Sequence, residues 1–95
     1  MTEQQLQASI IKYLKDKAYI VKVMVASKNG IPDLLICYKG LFVGIELKLP
    51  TRLDTVTELQ KYNIEEIERN KGIGMVISSL SEIKDLLSKI DKGLL

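Results

Sequence analysis

Leu6, Ile10, Tyr13 and Leu14 recur at helical spacing and predict an amphipathic helix over about 3–16. Thr2-Glu3-Gln4-Gln5 ahead of them has the form of a capping box, with Thr2 as N-cap and Gln5 at N3. The period then changes. Tyr19 to Ala26 is rich in Val and reads as a strand, and Ser27-Lys28-Asn29-Gly30 is a turn leading to Pro32, tolerated at a strand start. Strands over 33–38 and 41–49 follow, joined by Lys39-Gly40 as a two-residue hairpin turn and ended by Pro50. Thr51 to Asp54 reads as a loop. A second capping box, Thr55-Val56-Thr57-Glu58, opens a helix to about Asn70, with Val56, Leu59, Tyr62 or Asn63, and Ile67 as its stripe and Gly72 at C′. Gly74 to Ser78 is a short buried strand. Ser79-Leu80-Ser81-Glu82 is a third box, before a helix faced by Leu80, Ile83, Leu86, Leu87 and Ile90.

The order is α-β-β-β-α-β-α, an α/β fold in a single domain spanning 1–95. Both faces of the 33–49 hairpin are apolar, which calls for cover on both sides of the sheet. The stretch from the third strand through a helix to the fourth is long enough for a right-handed parallel crossover. The expected architecture is a mixed four-stranded sheet, meander first, flanked by helices. Its charged face meets the first helix or the 55–70 helix.

Composition narrows the chemistry. With 46% hydrophobic and 27% charged residues the chain is an ordinary globular domain. No apolar run approaches a membrane span, and the first residues are polar, so no signal peptide, no membrane association and an intracellular location are expected. The single cysteine, Cys37, excludes an internal disulfide and reads as a small core hydrophobe. The absence of histidine excludes Ser-His-Asp and Cys-His catalysis and histidine-built zinc sites. Net charge is +2, but residues 1–53 carry eight Lys/Arg against four acids, while 54–95 carry six against eight. That asymmetry suggests a modest electrostatic footprint for nucleic acid on the first half.

Against this background Gly30-Ile31-Pro32-Asp33 and Glu46-Leu47-Lys48 stand out. A turn at 39–40 pairs residues whose numbers sum to 79, and Asp33 and Glu46 satisfy that sum. Their Cβ atoms should lie roughly 4.5–5.5 Å apart, with Lys48 two residues on and on the same face. Two facing carboxylates repel unless a cation compensates them. A hard ion such as Mg²⁺ or Mn²⁺ accepts such oxygens, keeps several waters and can activate one of them against a phosphate. The competing interpretation is an edge hairpin with a solvated acid pair and a cross-strand salt bridge.

These residues, together with Glu3 and Gln7 in the first helix, Gln60 in the second, Gly72 and Val76-Ile77-Ser78-Ser79, resemble the virus-type replication-repair nuclease (VRR-NUC) family. That family is a branch of the PD-(D/E)XK superfamily, and the resemblance runs from about Glu3 to Leu87. It implies a restriction-endonuclease-like core and a Mg²⁺- or Mn²⁺-dependent DNA endonuclease. Asp33, Glu46 and the Leu47 carbonyl would bind the metal, Glu3 would reach it through water, Lys48 would be the catalytic lysine, and Gln60 would steady the site. Stand-alone short members look like phage or bacterial proteins that dimerise and cut branched DNA such as four-way (Holliday) junctions. A homodimer acting on DNA is therefore the expected assembly, with no other protein partner. A catalytically silent nucleic-acid-binding module is the alternative. Lys28, Arg52 and Lys61 flank the motifs as candidate phosphate contacts, and Tyr13 and Tyr62 are expected to pack with the core rather than stack on bases.

Overall fold

The computed structural model describes all 95 residues. The elements run α1 (Glu3–Leu14), β1 (Tyr19–Lys22), β2 (Leu34–Tyr38), β3 (Leu41–Leu47), a 3₁₀ segment (Pro50–Thr55), α2 (Glu58–Arg69), β4 (Ile73–Ile77) and α3 (Leu80–Asp91). The sheet order is β1-β2-β3-β4, with β1, β2 and β3 antiparallel and β4 parallel to β3. This is the expected α-β-β-β-α-β-α order and mixed sheet. No helix is long and apolar enough to cross a membrane.

The turn fixes the register. Lys39 and Gly40 have φ of 51° and 83°, both positive as a type I′ turn requires. Tyr38 then pairs with Leu41 and Leu34 with Ile45.

The two faces of the sheet are covered unequally. One carries Leu34, Ile36, Val43, Ile45, Leu47 and Ile77, which form the main core with Leu6, Ile10 and Leu14 of α1 and Ile83, Leu86 and Leu87 of α3. Tyr13 packs against this core with the Lys17 and Lys84 ammonium groups over its ring. The other face receives only α2, which lies on β3 and β4. Gly44 and Gly74 admit it. A Cβ built on Gly44 would lie 2.5 Å from Ile67 Cδ1, and one on Gly74 would lie 2.9 Å from the Ile64 carbonyl oxygen.

Beyond the reach of α2, the cross-strand row Tyr19–Cys37–Phe42 remains on the surface. Cys37 is thus exposed rather than a core residue, and the second layer of cover expected over the hairpin is only partial. Tyr62 is also exposed and not in the core. Its hydroxyl donates to Glu66 and the Arg69 guanidinium stacks on its ring.

Several boundaries differ from the sequence expectation for local reasons. β1 stops at Lys22 and not at Ala26, because Met24 and Val25 lie outside the sheet and are exposed. Residues 50–55 form a 3₁₀ segment instead of a loop. The N-cap of α2 is Thr57, not Thr55, and its box partner is Gln60. Its C-terminus closes on Lys71 in the left-handed region (φ 71°), with Gly72 N–H donating to Ile67 and Lys71 N–H to Glu68. That is a Schellman closure with a lysine at C′. Gly72 is required one position later, since a Cβ there would meet Ile67 Cγ2 at 2.8 Å and the Phe42 carbonyl at 2.9 Å.

Candidate active site

Asp33 immediately precedes β2, and Glu46 and Leu47 end β3. Continuing the register by one pair beyond Leu34–Ile45 sets Asp33 against Glu46, as the hairpin arithmetic requires. At this point the sheet changes partners. The Asp33 carbonyl accepts from Val23 N–H at 2.9 Å, while its carboxylate Oδ2 accepts the Leu47 N–H at 2.8 Å. On the other side Lys48 N–H donates to the Ile77 carbonyl at 3.2 Å. Both chain segments that carry the site are therefore tied to neighbouring strands.

Glu46 is 3% exposed, a carboxylate among apolar strand positions. Its polar partner is Gln60, whose Nε2 donates to Oε2 at 3.2 Å. The other end of the same amide is also committed, since Gln60 Oε1 accepts the Thr57 N–H at 2.9 Å. The capping box of α2 thereby sets which end of the amide faces Glu46. Burial, first, and then the hydrogen bond and charge of Asp33 push the Glu46 carboxyl up to about 8. Lys48 pulls in the opposite direction, and the charge of Glu3 adds slightly to the rise.

Asp33, Glu46 and Gln60 thus converge, with Lys48 half-buried beside them. Glu3 is exposed at the first turn of α1 and acts on Glu46 through its field. No three acidic, histidine or cysteine side chains come together as a closed metal cage. The three candidate phosphate contacts are dispersed. Lys61 pairs with Glu58 at 3.3 Å, Arg52 lies in the 3₁₀ segment, and Lys28 lines a cleft of about 330 Å³ between the hairpin and α2. All three are exposed.

Sequence reasoning missed Thr57 as the residue that orients Gln60; the signal was the Thr-x-x-Gln spacing, read two residues too early. Asn63, the alternative stripe position of α2, faces the loop before Asp33. It is buried and donates Nδ2 to the carbonyls of Asn29 and Leu59, fastening the loop before Asp33 to α2.

Among solved structures, a protein described as a VRR_NUC domain superposes with a TM-score of 0.73 at 19% identity, over 90% of this chain and 94% of its own. A second, a VRR_NUC domain protein, gives 0.75 at 19% identity, over 94% of this chain and 87% of its own. This chain has the VRR_NUC fold. No family model and no curated protein matches the sequence. The likeness lies in backbone architecture, which is conserved at an identity where sequence comparison finds nothing. It spans at least 90% of this chain, in which Asp33, Glu46 and Lys48 lie at the end of the central hairpin.

Proposed function

We propose that this chain is a divalent-cation-dependent endonuclease that hydrolyses DNA phosphodiesters. The observation that carries the reading is the buried Glu46 carboxylate, set against Asp33 and steadied by an amide. Neither carboxylate is ion-paired: all five salt bridges lie elsewhere. Two hard oxygen donors with unbalanced charge fit Mg²⁺ or Mn²⁺, which take one or two carboxylates and complete their shell with water and substrate. Asp33, Glu46 and the Leu47 carbonyl would hold the ion, with Glu3 reaching it through water. Such an ion supplies an activated water and neutralises the phosphate.

The chain's own residues do the rest. Gln60 holds Glu46 in one orientation. Asp33 keeps one oxygen on the Leu47 N–H and leaves the other for the ion. Lys48 contributes the positive charge that stabilises the phosphate as negative charge builds on it. Lys28, Arg52 and Lys61 serve as peripheral phosphate contacts.

The same reading extends to a homodimer acting on branched DNA. It is supported by the bare outer edge of β1, where Tyr19 is 73% exposed. Cleavage of linear duplex, flap and four-way-junction DNA, with Mg²⁺, Mn²⁺ or EDTA, tests it. Metal-dependent cutting that favours the junction is expected. Binding without cutting would instead identify a silent module.

A further inference from the structure

One side of α1 carries a charged surface that the candidate site does not use. Gln4, Gln7, Lys12 and Lys15 of the α1 segment and Lys22 at the end of β1 border an open depression of about 540 Å³. Ala8 and Ile11 form its floor, small enough at Ala8 to leave it shallow. The three lysines are exposed and enter none of the five salt bridges of the molecule. Neither acid of this stretch, Glu3 or Asp16, lines the depression. Elsewhere the lysines are partly spent: Lys39, Lys61 and Lys89 are each paired with a carboxylate.

The position of the depression connects it to the site. It reaches the site through Lys22, which pairs with Leu34 next to Asp33 and whose neighbour Val23 donates its N–H to the Asp33 carbonyl at 2.9 Å. From Gln4 to Lys15 the helix geometry covers about 16 Å, close to the axial rise of five base pairs of duplex. Lys22 lies at the carboxylate end, with Lys12 and Lys15 on the neighbouring α1 segment. That order suits a ligand whose negative charge recurs along its length and which approaches the cleavage centre at one end.

We propose that Gln4, Gln7, Lys12, Lys15 and Lys22 form a track for the phosphodiester backbone of the nucleic acid, leading to the Asp33–Glu46 centre. The assignment rests on the nuclease reading for its ligand, but its test is independent of turnover. Three lysines that neutralise three phosphates contribute about 2.7 to the slope of log affinity against log salt.

The experiment uses the full chain with Asp33→Asn, in EDTA, and a fluorescent duplex of about thirty base pairs, titrated between about 50 and 200 mM salt. A variant carrying Lys12→Gln, Lys15→Gln and Lys22→Gln is compared with one carrying Lys71→Gln, Lys89→Gln and Lys92→Gln, which removes the same charge from another part of the surface. The first should bind at least about tenfold more weakly at the lowest salt, with a slope shallower by two to three, and the second should stay close to the parent. Equal losses in both variants would mean that only net charge matters and would overturn the track. So would unchanged binding in the first variant, or a loss seen only with anionic phospholipid vesicles. Cutting of DNA by the wild-type chain with Mg²⁺ is measured separately, so a failed track leaves the nuclease reading standing, and a wild type that binds through the track without cutting refutes only the latter.

Discussion

The Asp33 carboxylate takes the place of a strand for Leu47: its Oδ2 accepts the Leu47 N–H at 2.8 Å, just past the last β2–β3 pair. The side chain that would hold a metal is therefore also part of the sheet's hydrogen bonding. Structure and chemistry meet in one carboxylate.

Cleavage should require all three charged residues of the hairpin. Asp33→Ala and Glu46→Ala remove oxygen donors, and Lys48→Ala removes the positive charge beside them. Each should lower the rate constant by about 10²–10³, or about 2.7–4 kcal/mol of transition-state stabilisation. Single-turnover nicking with Mg²⁺ measures it. Wild-type rates in any of the three would remove that residue from the chemistry.

The metal-free protein should lose stability as pH rises. The Glu46 carboxyl titrates near 8 when folded, against an ordinary value of 4.5. Between these values the folded state keeps a proton that the unfolded chain has released, so stability falls from about pH 4.5 to about pH 8 and then levels off. The loss is on the order of a few kcal/mol. Asp33→Asn removes the facing charge, keeps an acceptor for Leu47, and should make this fall smaller in thermal melts with EDTA, while the part due to burial of Glu46 remains. Mg²⁺ at ten times its dissociation constant should restore about 1.4 kcal/mol to the wild type and much less to the variant.

Thr57 and Gln60 separate capping from site geometry. Thr57→Ala and Gln60→Ala should each destabilise α2 by about 1 kcal/mol through the lost cap. Gln60→Ala also removes the Nε2 donor from Glu46 and should raise the Mg²⁺ concentration needed for half-maximal cutting. If the Mg²⁺ response of Gln60→Ala matches wild type, the 3.2 Å contact does not orient Glu46.

Gly44→Ala should destabilise by about 1–3 kcal/mol, because the new methyl group meets Ile67 Cδ1. Ile67→Val deletes that atom. The double variant should recover part of the loss, leaving a coupling energy on the order of 1 kcal/mol in a double-mutant cycle. Strict additivity in chemical denaturation would show that α2 does not rest on Gly44.

A pair of chains should sediment near twice 10.7 kDa at micromolar concentration. Lys22→Pro leaves the core alone, since Lys22 is exposed on the outer strand, and its N–H, unlike those of Val21 and Val23, faces away from β2, so the change disturbs the bare edge. The variant should sediment as a single chain. A wild type that is monomeric throughout would remove the dimer from the functional reading.

Hairpin register was legible in the sequence because the positive-φ turn at Lys39-Gly40 leaves little freedom, and with it came the Asp33–Glu46 pairing. The core faces of α1 and α3 followed from strict periodicity. Where the reading failed, tertiary geometry decided. Cys37 and Phe42 have the composition of a buried strand face, yet α2 docks over β3 and β4 and stops short of them. Thr55 and Thr57 both satisfy a capping pattern locally, and α2 starts at Thr57, whose box partner Gln60 also donates to Glu46. Lys71 in a left-handed conformation has no sequence signature, because glycine was available one residue later.

The two outer strands are finished differently. Along β4, Glu68 accepts the Gly74 N–H at 3.2 Å, and just beyond it Glu82 accepts the Ser78 N–H at 3.3 Å, so side chains occupy donors that another chain would seek. Along β1 the outer row carries no such stoppers. With two of its outward donors capped, the β4 border resists an added strand more than the β1 border does, so a neighbour joins β1 to β1 and leaves only the guarded borders outside. Growth of that kind terminates at a pair and cannot run on into a filament.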